Sequence, residues 1–202
     1  MPIVLNGTTL NNGGTITFNG TSLSAVYFGN TQVWQRSVTC TDLIKWYEWS
    51  VSGNCNGVNT NGEDVTHYYT GIQILSGAPS AGIGNGKVWQ SISMTNNHKY
   101  WLYFGYYAID GMRISTPFAQ YNYAHSESTI STVITYTGAS GSQTVTVENT
   151  SSDVTASDYC RLCSMNIVDL TASFGSGKEP TAQWCESNLG IFNGSKTVIP
   201  PT

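Results

Sequence analysis

Apolar and polar residues alternate along most of this chain with a period of two, not every third or fourth position. Gln143-Thr144-Val145-Thr146-Val147-Glu148 is the cleanest case, with one wet face and one dry face. Comparable runs fall at 67–75, 87–94, 99–109, 113–123, 129–137, 143–149 and 160–168. Turn residues separate them, notably Asn96-Asn97, Asp110-Gly111 and Gly138-Ala139-Ser140-Gly141. Many short strands with little helix between them predict an all-β fold, a jelly-roll β-sandwich. Asp110-Gly111 lies between two apolar runs and predicts a tight hairpin. Residues 42–51, with Trp46, Tyr47 and Trp49 close together, predict a helix or a strand, and the Asn- and Gly-rich stretch 54–64 predicts an exposed loop.

Residues 1–36 read as a separate small unit. Ile3-Val4-Leu5-Asn6-Gly7-Thr8-Thr9-Leu10 recurs as Ile16-Thr17-Phe18-Asn19-Gly20-Thr21-Ser22-Leu23, and more loosely as Val26-Tyr27-Phe28-Gly29-Asn30-Thr31-Gln32-Val33-Trp34. Asn-Gly between apolar residues is a strong hairpin signal, because both residues accept positive φ. The expectation is a meander of short hairpins, too small to be stable alone. It serves either as an attachment module or as a sheet packed on the chain's own domain. The remaining residues, 37–202, would form the sandwich with a short C-terminal helix.

The densest aromatic stretch is 100–109. One face carries Tyr100, Leu102, Phe104, Tyr106 and Ala108, and is the better core candidate. The other carries Trp101, Tyr103, Gly105, Tyr107 and Ile109. Flat rings exposed there could stack on the C–H face of a sugar while nearby Ser, Thr, Asn and Gln read its hydroxyls. The competing reading buries both faces, the second under the N-terminal unit or a neighbouring subunit. Trp89, Trp46 and Trp49 are further candidates for ligand contact, or core anchors.

Composition narrows the function. Only 10% of residues are charged, against about 25% in typical domains. The net charge is −4, and the eight Lys and Arg form no basic stripe, so nucleic-acid binding lacks its electrostatic footprint. No apolar run is long enough to span a bilayer as a helix, and the N-terminus shows no basic-then-apolar signal peptide. Five cysteines, an odd number, do not make a disulfide scaffold. Cys160 and Cys163 have metal-knuckle spacing, but strand residues three apart face opposite ways, which favours buried thiols over zinc.

Catalytic motifs are absent: there is no Gly-x-Ser-x-Gly, phosphate loop or His-Glu-x-x-His. His67, His98 and His125 stand apart, and no spacing selects a carboxylate pair from Glu48, Glu63, Asp64, Asp110, Glu127 and Glu148. The sequence therefore predicts a protein without enzymatic activity and without a cofactor.

The C-terminal stretch is the most distinctive. An apolar strand ends at Asp169-Leu170-Thr171, one helical turn stops on Gly175, and Pro180 begins a helix that carries Trp184. Trp184 and Leu189 would pin this segment as a cap on a sheet end. The order Asp169-Leu170-Thr171, Phe174-Gly175, Glu179-Pro180-Thr181 resembles the closing strand and tail of jelly-roll, carbohydrate-binding-module-like domains in bacteriophage tail and adhesion proteins. His98-Lys99-Tyr100-Trp101 resembles a strand of such domains, and Val26–Trp34 resembles an N-terminal segment of phage tail proteins. Lys178 stands where that pattern usually has Asn, and 37–95 match no part of it. The resemblance implies a virion structural protein of tail-adhesin type that binds host-surface glycans; the aromatic pattern offers Trp101, Tyr103, Tyr107 and Trp89 as the sugar contacts. It further implies other virion proteins as partners, a homo-oligomer with three-fold symmetry, and a structural calcium to which Asp64 or Asp169 could supply oxygens. Two other functions stay open: a head decoration or fibre protein with a purely structural role, and a fragment of a carbohydrate-active enzyme.

Overall fold

A computed structural model describes residues 3–5, 8–10, 17–18, 21–23, 25–28, 31–56, 72–75, 85–109, 111–151 and 159–201. Three short antiparallel pairs come first. They are β1 (Ile3–Leu5) with β2 (Thr8–Leu10), β3 (Thr17–Phe18) with β4 (Thr21–Ser22), and β5 (Ala25–Phe28) with β6 (Thr31–Gln35). Leu5 faces Thr8, Phe18 faces Thr21 and Phe28 faces Thr31, so each copy of the repeat forms one hairpin with a two-residue connection.

The strands that follow are β7 (Val38–Thr41), β8 (Ser50–Ser52), β9 (Cys55–Asn56), β10 (Ile72–Leu75), β11 (Lys87–Met94), β12 (Lys99–Ala108) and β13 (Met112–Ser115). After them come β14 (Gln120–Tyr123), β15 (Ser126–Thr135), β16 (Gly141–Asn149) and β17 (Tyr159–Asp169). Two five-stranded sheets result, in the orders β15-β12-β17-β10-β9 and β14-β13-β16-β11-β8. From β10 to β17 the chain passes repeatedly between the sheets, and all ladders are antiparallel. This interleaving makes the fold an all-β jelly-roll sandwich.

The core lies between the sheets. Tyr100, Leu102, Phe104, Tyr106 and Ala108 of β12 meet Val88, Ile92 and Met94 of β11, Val145 and Val147 of β16, and Met112 and Ile114 of β13. Aromatic packing continues outward through Tyr123, whose ring stacks on Tyr106 at 3.8 Å. Burial and its tyrosine neighbours push the Tyr123 hydroxyl up to about 12.

Strand β17 is buried along nearly all its length, and a bulge explains how both its faces serve. Gly105 faces Ser164 while Tyr106 faces Leu162, leaving Cys163 as the extra residue. The insertion changes parity: Cys160 and Leu162 face the core before it, Met165 and Ile167 after it. Val168 then points outward, with Trp101. An added Cβ at Gly105 would come within 2.8 Å of Ser164 Oγ, so the bulge fits closely against a glycine.

Several local expectations are corrected. The strands on either side of Asp110-Gly111 do not pair; β12 pairs with β15 and β17, whereas β13 pairs with β14 and β16. Their apolar sides face each other across the core rather than lying side by side, and residue 110 itself is outside the described residues. The run 113–123 is not one strand but the hairpin β13–β14. The Thr116 hydroxyl turns the chain by accepting from the N–H groups of Phe118 and Ala119. Residues 43–49 form neither helix nor strand. Asp42 Oδ1 accepts from Ile44 N, and Trp46 and Trp49 drop into the core with ring centroids 6.3 Å apart. Of the run 67–75 only β10 is described. Of the stretch 54–64, residues 54–56 are described, and they include β9 rather than loop alone.

The C-terminal segment holds α1 (Leu170–Phe174), α2 (Ala182–Asn188) and β18 (Ser195–Val198), which pairs with β7. Asp169 caps α1 by accepting from Ala172 N at 2.8 Å, and Gly175 at φ +93° ends it. Thr181 caps α2 through Trp184 N, which places Pro180 ahead of the cap and not at the first helical position as expected. The segment covers the outer face of the first sheet instead of a sheet end. Leu170, Phe174, Cys185 and Leu189 pack with Val38, Cys40, Val168 and Trp101 into a second apolar cluster.

Candidate functional site

The four aromatic residues singled out in the sequence do not come together. Trp101 is fully buried, so of the two readings of its face burial holds at this position, and the exposed ring expected of a sugar contact is not found there. Its neighbours in register are Val133 of β15 and Val168 of β17. The C-terminal helices and β7 close over it, and its indole Nε1 donates to Ser131 Oγ at 2.9 Å. A sugar could reach this ring only if the cap left. Tyr103 is half-buried beside Trp101, with ring centroids 5.7 Å apart, at the edge of a hollow of about 280 Å³ lined also by Glu186, Gly190 and Ile191. Tyr107 lies further along the same strand with its ring 5.9 Å from that of Tyr159, over which Arg161 sits 5.0 Å from the centroid. Burial on the outer face of the first sheet thus follows the cap.

Trp89 stands on the outer face of the other sheet. Strand β11 alternates strictly: Val88, Gln90, Ile92 and Met94 are buried, while Lys87, Trp89, Ser91 and Ser93 face outward. On β16, Val145 and Val147 go to the core and Thr144, Thr146 and Glu148 go out. Trp89 faces Thr146 on one side and Ser50 of β8 on the other. Its half-buried ring joins Ser52, Lys87, Thr144 and Thr146 around an open hollow of about 360 Å³. That volume sits within the roughly 300–1,000 Å³ range of small-molecule clefts.

The charges of this face are few. Arg113 donates through Nε to Glu148 Oε1 across the β13–β16 ladder. Lys87 faces Glu148 on the other side of β16 and lines the hollow. The remaining outward groups of β11 and β16 are hydroxyls and the indole. Such a surface offers an apolar plate with hydrogen-bonding groups at its edges and contains no paired acid and base.

Several other chemistry-bearing residues have structural partners. His98 Nδ1 lies 2.8 Å from Asp169 Oδ2, Lys99 Nζ lies 3.4 Å from Glu179 Oε2, and Thr171 Oγ1 donates to Glu179 Oε1. These contacts bolt the cap to the start of β12. Asp42 is a buried node that no sequence signal marked. It accepts from Ile167 N, Ile44 N and Asn166 Nδ2, and Asn166 also donates to the Phe192 carbonyl. Cys160 is in the core and Cys163 on the bulge; all five cysteines are free thiols. Burial pushes Cys163 up to about 11 and Cys185 to about 12, and raises Cys40, Cys55 and Cys160 as well. Among the described residues no three His, Cys, Asp or Glu side chains are grouped to hold a metal. Asp169 is committed to His98 and Ala172, and Asp64 is outside the described residues, as are His67, Glu63 and Asp110.

Sequence reasoning named Trp89 but missed Lys87, Ser52, Thr144 and Thr146 beside it. The alternation of 143–148 did mark Thr144 and Thr146 as a wet face. What it lacked was the pairing of β11 with β16, which brings together segments far apart in the chain. No protein-family model matches the chain, and a search of curated proteins finds no match either.

Proposed function

We propose that this chain is a non-catalytic virion structural protein of tail-adhesin type, which binds host-surface glycans on the outer face of its second sheet. The observation that carries the reading is Trp89: a half-buried indole in an open hollow edged by Ser52, Lys87, Thr144 and Thr146. An aromatic plate stacks on the apolar C–H face of a pyranose, and flanking hydroxyls exchange hydrogen bonds with the ring substituents. The phage assignment rests on the C-terminal and N-terminal resemblances. Weak single-site sugar contacts gain from linked copies, which favours an oligomer; a trimer follows from the resemblance alone.

A glycan array tests the reading. Wild-type protein is expected to bind at least one bacterial surface glycan, and Trp89→Ala to weaken that binding at least about tenfold without unfolding the domain. Binding that survives Trp89→Ala would move the site elsewhere.

A second reading, an assembly role as a head decoration or fibre protein, draws on a different observation. Tyr47 is 51% exposed and Val51, on the edge strand β8, is 45% exposed. Apolar side chains on an open sheet edge suit contact with another subunit. The array distinguishes the readings, because both expect an oligomer but an assembly protein leaves every glycan unbound.

A further inference from the structure

Building on the proposal that the Trp89 hollow binds sugar, the geometry points to an anionic saccharide, one carrying a uronate carboxylate or a phosphate substituent, as its ligand. The argument starts from Lys87. It lies two residues before Trp89 on β11, on the same outward face, and both side chains line the hollow. Its cross-strand neighbours are Glu148 on β16 and Ser52 on β8. The Glu148 carboxylate is already engaged by the Arg113 guanidinium from the far side. Lys87 forms no ion pair with any carboxylate among the described residues. Among the described residues, two cations and one carboxylate leave this face with an excess positive charge, located at the hollow.

The chain as a whole carries a net charge of −4. That distant charge matters less than the local ammonium, because at physiological salt charges more than about 8 Å apart are largely screened. A sugar lying against the indole would present its ring substituents to the Thr144, Thr146 and Ser52 hydroxyls. An acidic substituent would then meet Lys87. The lysine is a flexible point charge and suits carboxylate and phosphate alike, without the fixed fork of an arginine. Neutral glycans would leave that ammonium in water and gain nothing from it.

The test uses an array carrying trigalacturonate, its methyl ester, a phosphodiester-linked oligosaccharide and neutral oligosaccharides. Wild type is expected to prefer at least one anionic probe by about tenfold over its neutral counterpart, the gain of one charge-assisted hydrogen bond. Which anionic probe wins identifies uronate or phosphate. Lys87→Gln should erase the preference and keep residual neutral binding. The control Lys178→Gln, in the exposed turn after α1, should leave the preference intact. Raising salt should lower anionic binding in wild type and leave the Lys87→Gln protein unaffected. Equal binding of charged and neutral probes, or a preference that persists in Lys87→Gln, would overturn the anionic assignment while leaving the glycan reading standing. Absence of binding to every probe would overturn both.

Discussion

The outer faces of the two sheets make opposite use of tryptophan. On the first sheet Trp101 has no exposed surface, because two short helices and a two-stranded ribbon lie over it. On the second sheet Trp89 is half-buried among hydroxyls with no layer packed on it among the described residues. Both strands alternate, and both rings point away from the core. The difference arises from the C-terminal segment, whose Leu170, Phe174, Cys185 and Leu189 need an apolar partner and find it on the face where Trp101 is flanked by Val133 and Val168. The face around Trp89 is flanked by Thr146 and Ser50 and offers no such partner. Aromatic density alone is therefore a poor guide to a binding surface; the company of each ring in register decides.

The sharpest way to break this comparison is to truncate the two indoles in turn. Trp101→Ala is expected to cost roughly 3–5 kcal/mol of stability, as core aromatic truncations do. Trp89→Ala should change stability by no more than about 1 kcal/mol. Urea denaturation of both variants measures the pair, and equal losses would mean that Trp89 also lies under a packed layer.

The attachment of the cap to the sheet can be probed through pH. Burial pushes the Asp42 carboxyl up to about 7, against the pull of the Ile167 and Ile44 N–H groups and the Asn166 amide. In the unfolded chain the same group titrates near about 3.9. Between those values the folded state holds a proton that the unfolded state has lost. This contribution to stability is therefore complete at low pH and disappears as pH rises through about 7. The slope from this one site is at most about 1.4 kcal/mol per pH unit. Asp42→Asn, which cannot ionise, should flatten the decline between about pH 4 and 7 relative to wild type. Parallel profiles for the two proteins would show that Asp42 does not couple folding to pH.

A smaller effect concerns the cap alone. Thr181→Ala removes the hydroxyl that accepts from Trp184 N and should cost about 1 kcal/mol. The loss should appear in the thermal midpoint but not in glycan binding, because α2 lies on the opposite side of the sandwich from Trp89. A binding defect in this variant would connect the two faces.

Much of the architecture was legible. The run 87–94 is β11 residue for residue, and 99–109, 143–149 and 160–168 overlie β12, β16 and β17 to within one or two residues at each end. The core face of β12 was also read correctly, since Tyr100, Leu102, Phe104, Tyr106 and Ala108 all enter the inter-sheet cluster. Three of the failures share one cause, contact between segments far apart in the chain. Asp110-Gly111 has hairpin chemistry, yet its two flanking strands belong to different sheets. Trp101 belongs to an outward face, yet a segment some seventy residues further along the chain covers it. The bulge at Cys163, which lets β17 serve both apolar clusters, leaves no mark in the alternation.

Alternation and turn chemistry are local properties: a strand's two faces and the ends of a helix follow from neighbouring residues and their backbone preferences. Those preferences already specified an all-β chain, the repeated hairpins, the capped C-terminal turns and which side of β12 is dry. Which strands became neighbours, which outward face received the cap and which stayed open depended on contacts between distant segments. Burial rewards whichever arrangement removes the most apolar surface from water, and that sum exists only in three dimensions. Trp101 and Trp89 entered it with the same side chain and came out in different roles.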